Sequence, residues 1–139
     1  MQEQTFCMVK PDGVSRGLVQ EIEKRIMGSR LEIIKSKLIH LTVDEAEKLY
    51  AMHKEKSFYG GLVKSITSGP VFLMKLQGEN AIHKLRGLMG ATNPQNAEAG
   101  TIRGDFKDEP VFDEFGIYRN IVHGSDSKEN AEHELGLFF

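Results

Sequence analysis

The sequence predicts an α-and-β sandwich, on three observations. Thr5-Phe6-Cys7-Met8-Val9 is a short continuous apolar run, the pattern of a strand buried on both faces. Leu18, Val19, Ile22 and Ile26 then recur at helical spacing, with Glu21, Glu23, Lys24 and Arg25 on the other side. Strand-like and helix-like segments go on alternating to the end of the chain, which packs helices against a sheet. Periodicity leaves the direction of the strands open, and doubly wound and split βαβ arrangements both fit this order.

Each element has a local reason. Lys10-Pro11-Asp12-Gly13 ends the first strand and reads as a turn, because proline fixes φ and glycine permits a positive φ. The helix that follows closes near Gly28. Leu31 to Leu41 is expected as a strand, although its polar residues do not alternate cleanly. Thr42 followed by Glu45 is a capping-box signature, opening a helix that buries Val43, Ala46, Leu49 and Tyr50. A short helix beginning near Phe58 carries Leu62, Val63 and Ile66, and Val71 to Leu76 reads as a strand. Ala81, Ile82, Leu85, Leu88 and Met89 form another helical stripe. Residues 90–119 are glycine-rich and polar, and a stretch of that length inside a compact domain is a place for function. Ile121-Val122 is the last short strand, and Ser127 caps a helix running through Glu134. Cys7, Met8 and the other methionines are expected to serve packing.

Composition bounds the function. A chain of 139 residues, 40% apolar, suits one domain, residues 1–139, with a sizeable core. Eighteen Lys+Arg against twenty Asp+Glu give a net charge of -2, which argues against a specific nucleic-acid binder but allows a local basic pocket. One cysteine excludes an internal disulfide and a cysteine-based zinc site. The longest uncharged apolar-leaning run, Ser65 to Met74, falls well short of the roughly 20 residues that cross a bilayer. The start, Met1-Gln2-Glu3-Gln4, lacks the cationic n-region of a signal peptide. A cytoplasmic location without membrane partners is therefore expected.

Cations beside turn-forming glycines recur at three places: Lys10 before Pro11-Asp12-Gly13, Arg86 before Gly87, and Arg103 within Gly100-Thr101-Ile102-Arg103-Gly104-Asp105. Such loops suit phosphate, because glycine lets backbone N–H groups approach and arginine forks onto two oxygens. Neither a Walker-type Gly-x4-Gly-Lys-Ser/Thr nor a Gly-x-Gly-x-x-Gly is present, which excludes a conventional P-loop enzyme. The densest chemistry lies in Asn120-Ile121-Val122-His123-Gly124-Ser125-Asp126. A histidine there could be a general base, a metal ligand or a nucleophile. His40, His53, His83 and His133 are scattered, which disfavours a metal site, and neighbours as close as Ser125, His123 and Asp126 do not easily form a hydrolase triad. His123 as a nucleophile among phosphate-binding cations remains: phosphoryl transfer through a phosphohistidine.

Lys10-Pro11-Asp12-Gly13, Ser68-Gly69-Pro70, Thr92-Asn93-Pro94, Gly100 to Phe106 and Asn120 to Asp126 together resemble the nucleoside diphosphate kinase family, in order from about Thr5 to Phe139. The resemblance implies an α+β, ferredoxin-like split βαβ sandwich with a four-stranded antiparallel sheet and surrounding helices. It implies transfer of the γ-phosphate of a nucleoside triphosphate to a nucleoside diphosphate by a ping-pong route, with broad base specificity, maintaining nucleoside triphosphate pools. The metal would be Mg²⁺ carried on the nucleotide phosphates, with no ligand from the protein.

By position, His123 resembles the family's nucleophile, and Lys10 the lysine that contacts the transferred phosphoryl group and the ribose. Asn120 matches the ribose-binding asparagine; Arg86, Thr92 and Arg103 fall on phosphate-binding positions; Phe58 matches the aromatic that stacks on the base. Tyr50 resembles the tyrosine supporting the lysine, and Glu134 with Ser125 the pair that orients the histidine. Taken without the family, Phe58 and Tyr50 read equally well as core aromatics, and Glu134 as a solvated helix carboxylate.

The chain also departs from the family's usual pattern. Several extra residues, Lys107 to Tyr118, stand before the histidine motif; Lys56-Ser57 replaces a usual Arg-Pro; and the chain stops at Phe139, short of the longer members' C-terminal extension. These touch no matched catalytic position but bear on assembly, where a homo-oligomer built from dimers, a hexamer first, is expected. Val14-Leu18-Val19 and Phe112-Phe115-Ile117 are the apolar stretches expected to be poorly covered in a monomer. Two other classes compete: a nucleotide-binding regulatory module that transfers little, and a ferredoxin-like small-molecule sensor. A nucleophilic His123 beside Lys10, Arg103 and Asn120 weighs against the first, and cations at 10, 86 and 103 against the second.

Overall fold

The computed structural model describes residues 2–139; Met1, part of the start read above, lies outside the described residues. Four strands, β1 (Gln2–Val9), β2 (Glu32–Ile39), β3 (Val71–Glu79) and β4 (Val122–Gly124), form one sheet in the order β2-β3-β1-β4 with every pairing antiparallel. That is the ferredoxin-like split βαβ order, and it resolves the direction that periodicity left open. β1 is central, and its side chains alternate between two cores. Cys7 and Val9 join Ile22, Ile26, Met74, Leu76, Leu85 and Ile121 on one face. Phe6 and Met8 join Ala46, Leu49, Ile66, Leu73 and Phe138 on the other. Because both faces are covered, the strand reads as a continuous apolar run rather than an alternating one.

The helices are α1 (Pro11–Ser15), α2 (Val19–Gly28), α3 (Val43–Leu49), α4 (Tyr59–Ile66), α5 (Ala81–Met89), α6 (Ile102–Asp105) and α7 (Lys128–Phe138). The capping box forms as expected: the Glu45 amide donates to Thr42 Oγ1 at 3.1 Å and the Thr42 amide to Glu45 Oε1 at 2.9 Å. Val43, predicted buried, is exposed instead, because it opens α3 on the turn that faces solvent.

Other expectations are corrected. The turn read at Lys10-Pro11-Asp12-Gly13 continues as α1, since proline at the first helical position loses no hydrogen bond. Gly13 is there for space, not for a positive φ: a Cβ would stand 2.7 Å from Val9 Cγ1 and 2.9 Å from Ile121 Cγ2. The last strand begins at Val122, because Ile121 takes φ +76°, held by its amide donating to Asp12 Oδ2 at 3.0 Å. Within residues 90–119 lie a 3₁₀ turn (Pro94–Asn96), α6 and an antiparallel bridge between Phe112 and Tyr118. Val14, Leu18 and Val19 pack partly buried against the first core and Ile117 is buried, while Ile34 and Leu38 on edge strand β2 are exposed. Met27, Ile34, Leu38, Val43, Met52, Phe58 and Phe112 are the large apolar side chains left exposed among the described residues, so of the two expected stretches only Phe112 contributes.

Candidate active site

The topology brings the C-terminal end of β1 beside β4. Met8 pairs with His123, and the Lys10 amide donates to the Ile121 carbonyl at 2.7 Å. A cleft of about 490 Å³ opens there, within the range of small-ligand sites. Its walls include Lys10, Tyr50, Phe58, Arg86, Thr92, Arg103, Asn120, His123 and Glu134. Ser125 lies behind it, fully buried.

His123 has one ring nitrogen occupied. Glu134, on α7 and only 3% exposed, presents Oε1 at 2.9 Å from Nε2, and the same oxygen accepts from Ser125 Oγ at 2.7 Å. The solvated-carboxylate reading of Glu134 is thus wrong, because α7 packs that face onto β1 and β4. A carboxylate at Nε2 selects the tautomer that carries its proton there, which leaves the Nδ1 lone pair for the cleft. The ring is further bracketed by Phe6, edge-on at 5.9 Å, and Tyr50, edge-on at 6.2 Å and perpendicular. Burial and the nearby Glu134 charge push the Tyr50 hydroxyl far above its ordinary range, so it stays neutral.

Lys10 is buried and donates from Nζ to Asn120 Oδ1 at 2.9 Å and to the Tyr118 carbonyl at 3.1 Å. Tyr50 lies against His123 rather than among the acceptors of this ammonium. Burial lowers the Lys10 pKa to about 8, partly offset by Asp12 and lowered further by Arg103. Asn120 is held at its other end, Nδ2 donating to the Thr92 carbonyl at 3.0 Å. Arg103 is gripped by three backbone carbonyls: Nε to Asn120 at 3.1 Å, Nη1 to Gly90 at 3.0 Å and Nη2 to Val122 at 2.7 Å. No carboxylate neutralises it in those bonds, and burial with the nearby Arg86 lowers its pKa to about 10, so it remains a cation. A guanidinium has five N–H groups, so two stay available.

Arg86 and Thr92 are exposed at the rim. Phe58, the N-cap residue of α4, is 44% exposed, so the core-aromatic reading fails for it, whereas Tyr50 does belong to the second core. Sequence reasoning missed Asp12, which holds Ile121, and also Met52, His53, Phe112, Ile117 and Tyr118, which line the mouth. The last three come from the extra residues, and that excess length was the available signal.

Among the described residues no three His, Cys, Asp or Glu side chains gather as metal ligands. The cleft carboxylates are engaged: Asp126 accepts from Asn130 Nδ2, and Glu134 holds His123 and Ser125. Such a donor set fits an ion arriving on phosphate oxygens better than one resident in the protein.

A ring nitrogen without a protein partner, in a cleft that Lys10, Arg86 and Arg103 also line, can take up a phosphoryl group, so the cleft suits a histidine-dependent phosphotransferase. Comparison with known proteins narrows that class. The family model of nucleoside diphosphate kinase matches residues 3–139. The nucleoside diphosphate kinase of Halalkalibacterium halodurans is 49% identical over 137 residues, spanning 99% of this chain and 88% of the relative. That of Archaeoglobus fulgidus is 50% identical over 137 residues, spanning 99% and 86%. In three dimensions the chain is similar to a halophilic nucleoside diphosphate kinase from Halobacterium salinarum in complex with CDP, with a TM-score of 0.90, 42% identity, and coverage of 100% of this chain and 88% of that one. The chain belongs to the nucleoside diphosphate kinase family and is a transferase, a kinase that moves the γ-phosphate of a nucleoside triphosphate onto a nucleoside diphosphate. A divalent metal serves catalysis in this family.

Proposed function

We propose that His123 is the residue phosphorylated in this chain, at Nδ1. In the first half-reaction Nδ1 bonds to the γ-phosphorus, the bond to the β–γ bridging oxygen breaks, and the nucleoside diphosphate leaves with the electron pair. A second nucleoside diphosphate attacks the phosphorus through a terminal β-oxygen, and the N–P electron pair returns to Nδ1. Glu134 stabilises the positive ring as it forms, and Ser125 keeps that carboxylate aligned. Lys10 and the two remaining Arg103 donors receive the equatorial oxygens, Arg86 and Thr92 the outer phosphate, Asn120 and Lys10 the ribose, and Phe58 the base. A divalent ion, Mg²⁺ in this reading, would be held by the nucleotide phosphates rather than by a protein ligand, and would supply neutralisation of polyphosphate charge.

The observation that carries this reading is the Nε2 bond to a buried Glu134, which leaves Nδ1 as the free ring nitrogen of a histidine lining the same cleft as the cations. Incubation with γ-labelled ATP tests it. Wild-type protein should take up acid-labile, base-stable label that a nucleoside diphosphate removes, and His123→Ala should take up none. Equal label in the mutant, or an acid-stable adduct on Ser125, would defeat it.

Base specificity is broad in this reading, since an aromatic contact tolerates every base. The protein acts in the cytoplasm as a homo-oligomer, most simply a hexamer. Exposed Ile34 and Leu38 on edge strand β2 are the surface that assembly would cover. Light scattering at micromolar concentration should find no monomer; a monomer there would exclude the assembly.

A further inference from the structure

Three of the large exposed apolar side chains, Met52, Phe58 and Phe112, line the mouth of the same cleft, although they come from distant parts of the chain. Phe112 belongs to the extra residues before the histidine motif. It is 47% exposed and stacks on Tyr118, with centroids 4.7 Å apart and planes at 23°. An aromatic pair left open to solvent at a ligand mouth, rather than folded into either core, is a contact surface.

The loop bearing it is tightly built. Asp113 Oδ1 accepts the amides of Phe115 at 2.9 Å and Ile117 at 3.0 Å, and the Asp113 amide donates to the Ile117 carbonyl at 2.8 Å. Its Oδ2 accepts from Ser65 Oγ at 2.5 Å, which ties the loop to α4. Gly61 on the same helix lets the loop close in, since a Cβ there would lie 2.6 Å from the Phe115 carbonyl oxygen. Phe58 caps α4 at its other end, so Phe58 and Phe112 are mounted on one rigid unit. The Tyr118 carbonyl meanwhile accepts from Lys10, which links the loop to the phosphate floor.

We propose that Phe112, backed by Tyr118, is a second aromatic wall for the nucleobase, with Asp113 as the positioning residue that holds it, and that this wall favours the larger purine rings. The inference rests on the reading of Phe58 as a base contact. A base entering past Phe58 then meets apolar surface on two sides of the mouth, and a purine covers more of it than a pyrimidine.

Steady-state kinetics with ADP, GDP, CDP and UDP as acceptors test it, with inorganic triphosphate as a phosphate-only competitor. Phe112→Ala should raise KM for ADP and GDP about three- to tenfold, the scale of one aromatic contact, and KM for CDP and UDP less. The change falls in KM rather than kcat, as for binding lost equally from ground and transition states. Phe112→Tyr should restore the purine values, and Asp113→Asn should reproduce a smaller purine-weighted rise. The inhibition constant of inorganic triphosphate should not move. A weakening of inorganic triphosphate as large as that of the purines would place the loop's effect on the phosphate floor and overturn the proposal. If Phe58→Ala shifts KM by base while Phe112→Ala shifts none, the second wall is wrong and the base slot stands. If neither variant shifts KM, both readings fall.

Discussion

Lys10 and Arg103 on the floor of the cleft are buried and bonded to backbone or to a buried amide, whereas Arg86 at the mouth is exposed, although all three carry the same charge. The floor cations have already lost most of their water before substrate arrives, and their positions are set by acceptors that belong to the fold. Arg86 must shed water and rotamer freedom on binding, and salt screens it. Preorganised charge in a dry site lowers a barrier, while mobile charge in water chiefly attracts and releases. The floor should accordingly govern kcat and the mouth KM.

The largest break of this contrast is Arg103→Ala. It removes a cation and leaves the Gly90, Asn120 and Val122 carbonyls without their donor. Phosphotransfer kcat/KM should fall by about 10²–10³-fold, the scale of one preorganised transition-state donor. The melting temperature should drop by several degrees, as three buried acceptors lose their partner. A loss confined to KM, with unchanged melting, would mean that the floor is not preorganised.

Lys10 sharpens the contrast through pH. Its pKa is lowered from 10.5 to about 8 by burial, so between those values the unfolded chain holds a proton that the folded chain has released. Stability therefore rises with pH across that interval, by on the order of 3 kcal/mol in total from this group. Below about 8 both states are charged, and the full penalty of burying the ammonium is present. Nucleotide affinity should move the opposite way, falling about tenfold as the floor loses a charge. ADP titrations and denaturant melts from pH 7 to 10.5 should give opposed slopes, both flattened in Lys10→Gln. Parallel slopes would refute the buried-cation account. The smallest effect belongs to Arg86→Ala, expected to raise KM about fivefold with kcat and melting unchanged, and to matter less as salt rises. Equal losses for Arg86→Ala and Arg103→Ala would erase the distinction between floor and mouth.

What was legible in the sequence follows the same division. Ile22, Ile26, Leu85 and Met89 betray their helices because a buried stripe must repeat with the helix, and Thr42 with Glu45 marks a start because capping is local. The floor was legible too, since Lys10, Arg103, Asn120 and His123 lie in compact motifs that resemble a family. Glu134 was opaque without that resemblance: nothing local separates a carboxylate that packs onto β4 from one in water. α1 was misread because Pro11 and Gly13 favour turns, and only the approach of Val9 and Ile121 explains the glycine. Phe112 could not be placed, because its position depends on Asp113 reaching Ser65, which lies 48 residues away.

The pairing of β1 with β4 also has a consequence for how the chain is made. Lys10 takes its partners from residues 118 and 120, and Arg103 takes two of its three from residues 120 and 122. During synthesis the first cation of the floor emerges more than a hundred residues ahead of the atoms that hold it. A nascent chain can assemble β1, β3 and their helices, yet Lys10 and Arg103 lack these acceptors until the last strand docks at the sheet edge. Contacts of such separation in sequence form late and slowly. If His123 and Lys10 act as proposed, catalytic competence in this molecule is thus a readout of completed folding: no fragment that ends before β4 can present the histidine or the lysine in working order.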